Sequence, residues 1–149
     1  MEIYFSKVKL YICHKLFLVS CDKLDLLKKE IVMLMDEAMT NAINMGYDIR
    51  EVDSARFALY ALIDEKLLET EKYSKIWGQI SLQESFYDVT NAGSIFYRKL
   101  KEDLRLNRKS AWVYWWCLLA GFKGEYCRVA NMGNRNRIIS EVYKACCKI

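Results

Sequence analysis

Phe57-Ala58-Leu59-Tyr60-Ala61-Leu62-Ile63-Asp64-Glu65-Lys66-Leu67-Leu68 is the stretch whose reading decides the fold. Its first seven residues are all apolar and do not alternate with polar ones. A helix that is apolar on every side has to be enclosed by others, so this one belongs at the centre of the molecule. Asp53 stands where a cap is needed, and the helix is read from Ser54 to about Glu69.

Helical periodicity continues on both sides of this stretch. Phe5, Val8, Ile12, Leu16 and Val19 recur at helical spacing with lysines between them, an amphipathic first helix. Leu24, Leu27, Ile31, Leu34, Met35, Ala38, Ala42 and Met45 form one stripe, with charged residues opposite and Gly46 as a stop. Trp77 to Tyr87 reads as one shorter helix. Thr90 or Asn91 caps the next, which carries Ile95, Phe96, Leu100 and Leu104. Ser110 caps Ala111 to Ala120, which stops at Gly121, and a last helix begins near Arg137. Period-2 alternation is scarce. The fold class is therefore all-α, an irregular bundle of about seven to eight helices.

The chain has 149 residues, 53% hydrophobic and 28% charged, enough for one domain with its own core. It contains no proline, so nothing forces a kink. The net charge of +4 is dispersed, unlike the dense basic stripe of a nucleic-acid binder. Six cysteines lack any Cys-x-x-Cys spacing, and most fall in or beside apolar helical stretches, which predicts reduced thiols acting as small hydrophobes. The longest apolar run, Ala111 to Phe122, falls short of the ~20 residues a spanning helix needs.

The residues do not assemble a catalytic pattern. His14 is the one histidine and lies in a lysine-rich helix. Gly121-Phe122-Lys123-Gly124 lacks the spacing of a phosphate loop, and no cluster has metal-ligand spacing. The expectation is no catalytic residue, no cofactor, no metal and no small-molecule substrate. One pair stands out. Asp64 falls on the inward stripe Phe57, Tyr60, Ala61, Asp64, Leu68, and a buried carboxylate needs a partner or a cleft. Glu65 lies one step round the helix. The physics leaves two readings open: a structural role (a salt bridge, or a cap on a neighbouring helix), or an acidic contact, Asp64 with Glu65, in a partner-binding cleft.

Three blocks of residues carry a resemblance. The first is Ala58 to Leu68, an apolar helix ending in the acidic pair. The second is Trp77, Ser81, Leu82 and Phe86-Tyr87, followed by Gly93 and Phe96-Tyr97. The third is Tyr114 to Arg128, which contains Gly121, Phe122, Gly124, Tyr126 and Arg128. In order and approximate spacing these resemble the TssL/DotU family of bacterial secretion systems, across residues 53 to 128. There are departures: Leu106-Asn107 stands where the family often has proline, Trp112-Val113 where an acid is common, and Cys127 interrupts the Tyr-Arg ending.

The resemblance implies two small packed helical bundles with a cleft between them, and residues 1–149 as a single cytoplasmic helical domain. The family's C-terminal transmembrane helix is expected to lie outside this chain. It implies a scaffold on the cytoplasmic face of the bacterial inner membrane, in a type VI secretion system. The partners it implies are a TssM/IcmF-like inner-membrane protein and cytoplasmic baseplate components, with homodimers formed through the membrane segment. The homologous DotU component of a type IVB system is the alternative. A helical nucleic-acid-binding domain using Arg128, Arg135 and Arg137 is a more distant rival, disfavoured by the dispersed charge.

Overall fold

The computed structural model describes residues 1–126 and 132–149. Among these are eight α-helices: α1 (Ser6–His14), α2 (Leu24–Asn44), α3 (Ile49–Glu69), α4 (Glu71–Ile80), α5 (Leu82–Tyr87), α6 (Ala92–Arg105), α7 (Ala111–Leu119) and α8 (Met132–Cys146). Short 3-10 turns cover Glu2–Phe5, Cys21–Lys23 and Gly124–Tyr126. There is no strand among the described residues. The all-α expectation holds.

Helix α3 is the axis. Val52, Ala55 and every residue from Phe57 to Asp64 are buried, because helices meet α3 on all sides. It packs against α2, α4, α5, α6 and α7. Helix α5 packs on α3, and the other six helices gather about α3 in two groups: α1 and α2 with α4, and α6 and α7 with α8. The two groups share one continuous core through α3.

Boundaries differ from the sequence reading in four places. Helix α3 begins at Ile49, because Asp48, not Asp53, accepts the N–H of Arg50 at 2.8 Å. Trp77 to Tyr87 is two helices, broken at Ser81, where the backbone turns extended. The first helix stops at His14, and Leu16 is buried beyond its end. The last helix starts five residues early, at Met132, and its Arg135 is drawn inward.

Among the described cysteines, Cys117 and Cys146 are buried and behave as small hydrophobes, whereas Cys13 and Cys147 are exposed. Burial pushes the Cys146 thiol up to about 11. Helix α7 presents Trp112, Trp115 and Trp116, all half-buried, toward neighbouring elements rather than into the core. Trp112 and Trp115 meet Tyr143 of α8 at 5.9 and 5.3 Å between ring centres. Trp115→Ala is therefore expected to cost about 2 kcal/mol, below the ~3–5 kcal/mol of a fully buried tryptophan. Chemical denaturation measures it.

Candidate protein-binding site at the end of helix α3

Helical spacing from Tyr60 and Ala61 turns Asp64 inward, and the residue is 1% exposed. Its Oδ1 accepts the indole N–H of Trp77 at 2.8 Å and the backbone N–H of Leu82 at 2.9 Å. Its Oδ2 accepts the N–H of Gln83 at 2.8 Å. Leu82 and Gln83 open α5, and their N–H groups have no acceptor within that helix. Asp64 thus caps α5 from another helix, while the Ser81 hydroxyl makes no cap bond. Burial raises the Asp64 carboxyl above its ordinary range. The bonds from Gln83, Leu82 and Trp77 pull it back only in part.

Glu65, one residue on, points to a different segment. Its two oxygens accept the N–H groups of Lys123 at 3.0 Å and Gly124 at 2.7 Å. Burial raises this carboxyl too. The turn it holds is gripped from other sides. Tyr97 donates its hydroxyl to the Lys123 carbonyl at 2.7 Å. Arg135 donates to the Phe122 carbonyl at 2.9 Å and to the Leu118 carbonyl. A cation at the carbonyl end of α7 matches the negative end of that helix dipole.

The glycines of this turn have a steric reason. Gly121 (φ 106°) and Gly124 (φ 58°) both occupy the left-handed region. Gly93 of α6 lies so near Gly124 that a Cβ on it would stand 3.0 Å from the Gly124 Cα. Aromatic rings fill the space behind. Phe96 is 4.1 Å from Phe122 and 4.8 Å from Tyr114 between ring centres, and Tyr126 lies 4.9 Å from Tyr97.

The family model described as "Type VI secretion system protein DotU" matches residues 10–147, nearly the whole chain. The chain belongs to the DotU family. Among solved structures, the cytoplasmic domain of TssL from Acinetobacter baumannii superposes with a TM-score of 0.85 at 22% identity, over 96% of this chain and 94% of that one. That likeness establishes a shared fold. A comparison with curated proteins finds no match.

The motif residues of this DotU-family chain converge on the two anchors. Trp77, Ser81 and Leu82 are buried around Asp64. Gly93, Phe96, Gly121, Phe122, Gly124 and Tyr126 build the turn held by Glu65. Phe86 is the outlying one: it is 37% exposed, with its ring 5.3 Å from Tyr60. Arg128 lies outside the described residues. The structural reading of Asp64 is the one its geometry supports. Asp64 is 1% exposed, and each of its oxygens accepts from donors inside the chain.

Two arginines of the nucleic-acid rival, Arg135 and Arg137, lie among the described residues. Arg135 is 8% exposed and bonded to carbonyls, hence withdrawn from any phosphate. Arg137 is exposed and lies 3.8 Å from Glu141.

The raised carboxyl of Glu65 gives a pH signature. Its folded-state value lies above that of the unfolded chain, about 4.3. The native state then holds more protons across the window between the two values, so stability from this group falls as pH rises through it. Glu65→Gln does not titrate. The melting temperature of the parent minus that of Glu65→Gln should be larger at roughly pH 4 than at neutral pH. A difference that grows toward neutral pH would contradict the direction of the shift.

Proposed function

We propose that this chain is a scaffold in the membrane complex of a type VI secretion system, not a catalyst. It would work as one helical domain on the cytoplasmic face of the inner membrane, joining a TssM/IcmF-like membrane protein to cytoplasmic baseplate components. The observation that carries this is the use of Asp64 and Glu65. Two adjacent carboxylates fix two separate segments, the start of α5 and the turn from Gly121 to Gly124, to one end of α3. Pre-set segments of this kind lower the ordering cost of binding a partner. The acidic pair would then serve partner binding by holding these segments in place, with Phe86 and the turn as the surface presented. The description of the matching family model favours the type VI over the type IVB machine. Among the described residues no helix is long and apolar enough to cross a membrane.

The test is co-purification with the TssM-like protein and with baseplate proteins encoded beside it. The parent should retain at least one of them. Glu65→Gln keeps one acceptor for Gly124 and should lose only about 1 kcal/mol of stability. If the turn is the contact, its partner recovery should drop severalfold while it remains folded. Equal recovery by Glu65→Gln would take the turn out of the interface, and no recovery by the parent would sink the scaffold reading.

A further inference from the structure

A polar cleft of about 600 Å³ opens between the two helix groups, over the N-terminal half of α3. Neither Asp64 nor Glu65 lines it. They lie about ten residues along α3, roughly 15 Å away at 1.5 Å per residue. Its floor is a closed network. Asp103, 1% exposed, accepts from Ser54 at 2.7 Å, from Ser110 at 2.5 Å and from Arg108 at 3.2 Å. Ser54 also meets the Tyr114 hydroxyl at 2.9 Å. On the wall, Arg56 donates to Asp53 and to Tyr87, each at 2.8 Å.

Those pairings leave the rim unbalanced. Arg56 and Arg108 are matched by Asp53 and Asp103. Arg50, Lys99 and Glu102 also line the cleft, and among the described residues none of the three has an ion-pair partner within 4.0 Å, which leaves two cations against one carboxylate. The Lys99 ammonium lies over the Phe57 ring, 5.0 Å from its centre, which fixes the charge on the cleft wall. Beside the two cations stand Met39 and Ile49, the latter 63% exposed.

We infer that this cleft receives an acidic segment of a protein partner. A partner carboxylate would sit between Arg50 and Lys99, and an adjacent apolar side chain would lie against Met39 and Ile49. The inference goes beyond the scaffold reading and does not depend on which machine the chain serves. Two observations favour a peptide carboxylate over nucleic acid. With Asp53 and Asp103 already paired and Glu102 unpaired beside Arg50 and Lys99, the cleft has one positive charge in excess, which suits a single carboxylate better than a run of phosphates. The apolar wall has no counterpart to match in a phosphate backbone, whereas a leucine beside a glutamate matches it.

The probe is a short amphipathic helical peptide with glutamates beside leucines on one face, labelled for fluorescence anisotropy. Its counterpart carries lysines in place of the glutamates, and a single-stranded oligonucleotide of similar length is the third ligand. The glutamate peptide should bind the parent saturably, with amide shifts in nuclear magnetic resonance confined to Arg50, Lys99 and their neighbours. Arg50→Glu with Lys99→Glu alters rim positions outside the core and should fold normally. It should weaken the glutamate peptide at least about tenfold and gain affinity for the lysine peptide. Undiminished binding of the glutamate peptide by the double variant would overturn the proposal. So would shifts located elsewhere, tighter binding of the oligonucleotide, or the absence of any saturable peptide binding. The charge-swapped pairing keeps the test decisive should the variant lose some stability.

Discussion

Asp64→Ala is expected to lose about 4 kcal/mol of folding stability, a large part of the roughly 5–15 kcal/mol available to a domain of this kind. The substitution orphans the Trp77 indole N–H and the N–H groups of Leu82 and Gln83. A buried donor without an acceptor costs about 1–3 kcal/mol. Gln83 is half-buried and Trp77 and Leu82 are fully buried, so the Trp77 and Leu82 donors carry most of the loss. One term opposes it: the variant no longer buries a carboxylate, whose desolvation already raises its proton affinity. Urea denaturation of the variant, with unchanged slope, gives the number. Trp77→Phe keeps the ring and removes the donor. A double-mutant cycle of the two should show a coupling of about 1 kcal/mol. A loss below about 1 kcal/mol for Asp64→Ala, with no coupling to Trp77, would mean that the carboxylate does not hold α5.

The central helix was readable because burial on every side requires an apolar residue at every position, and Phe57 to Ile63 satisfies that without ambiguity. Its start was not, since two aspartates compete. Asp48-Ile49-Arg50-Glu51 carries the spacing of a capping box, and that signal, rather than proximity to the apolar run, marks the true N-terminus. The break at Ser81 has a similar trace in Ser81-Leu82-Gln83-Glu84. The local cap does not form there, because a carboxylate from α3 takes its place. A propensity read along the chain cannot anticipate a cap supplied from another helix.

The site divides the same way. Asp64 was legible as a polar residue on an apolar stripe, and Glu65 as its neighbour. The donors that meet Glu65 come from about sixty residues downstream and leave no mark beside it. Nor could the floor of the polar cleft be read from the chain. Ser54, Asp103, Ser110 and Tyr114 are ordinary residues on three separate stretches, and only packing of α3, α6 and α7 makes them one network. The two-group arrangement followed from the resemblance, not from the periodicity, which is the same in every amphipathic helix.

Gly124→Ala tests the second anchor. At φ 58° an alanine pays about 1 kcal/mol for left-handed backbone. Its Cβ would stand 2.6 Å from the Gly93 carbonyl oxygen and 2.9 Å from the Phe122 ring. The ring can turn, but the carbonyl belongs to α6 and cannot move without the helix. Overpacking of this kind costs about 1–3 kcal/mol, so the total expected is about 3 kcal/mol. Displacing the turn also stretches the bonds from Lys123 and Gly124 to Glu65, so amide exchange at those two positions should speed up more than exchange in α2. Gly133→Ala provides the contrast. It lies in the first turn of α8 with nothing within 4 Å of the added carbon, and it should leave stability equal or raised by up to about 1 kcal/mol. If the two alanine variants melt together, the Gly93–Gly124 approach is not a constraint, and the turn is held by Glu65, Tyr97 and Arg135 alone.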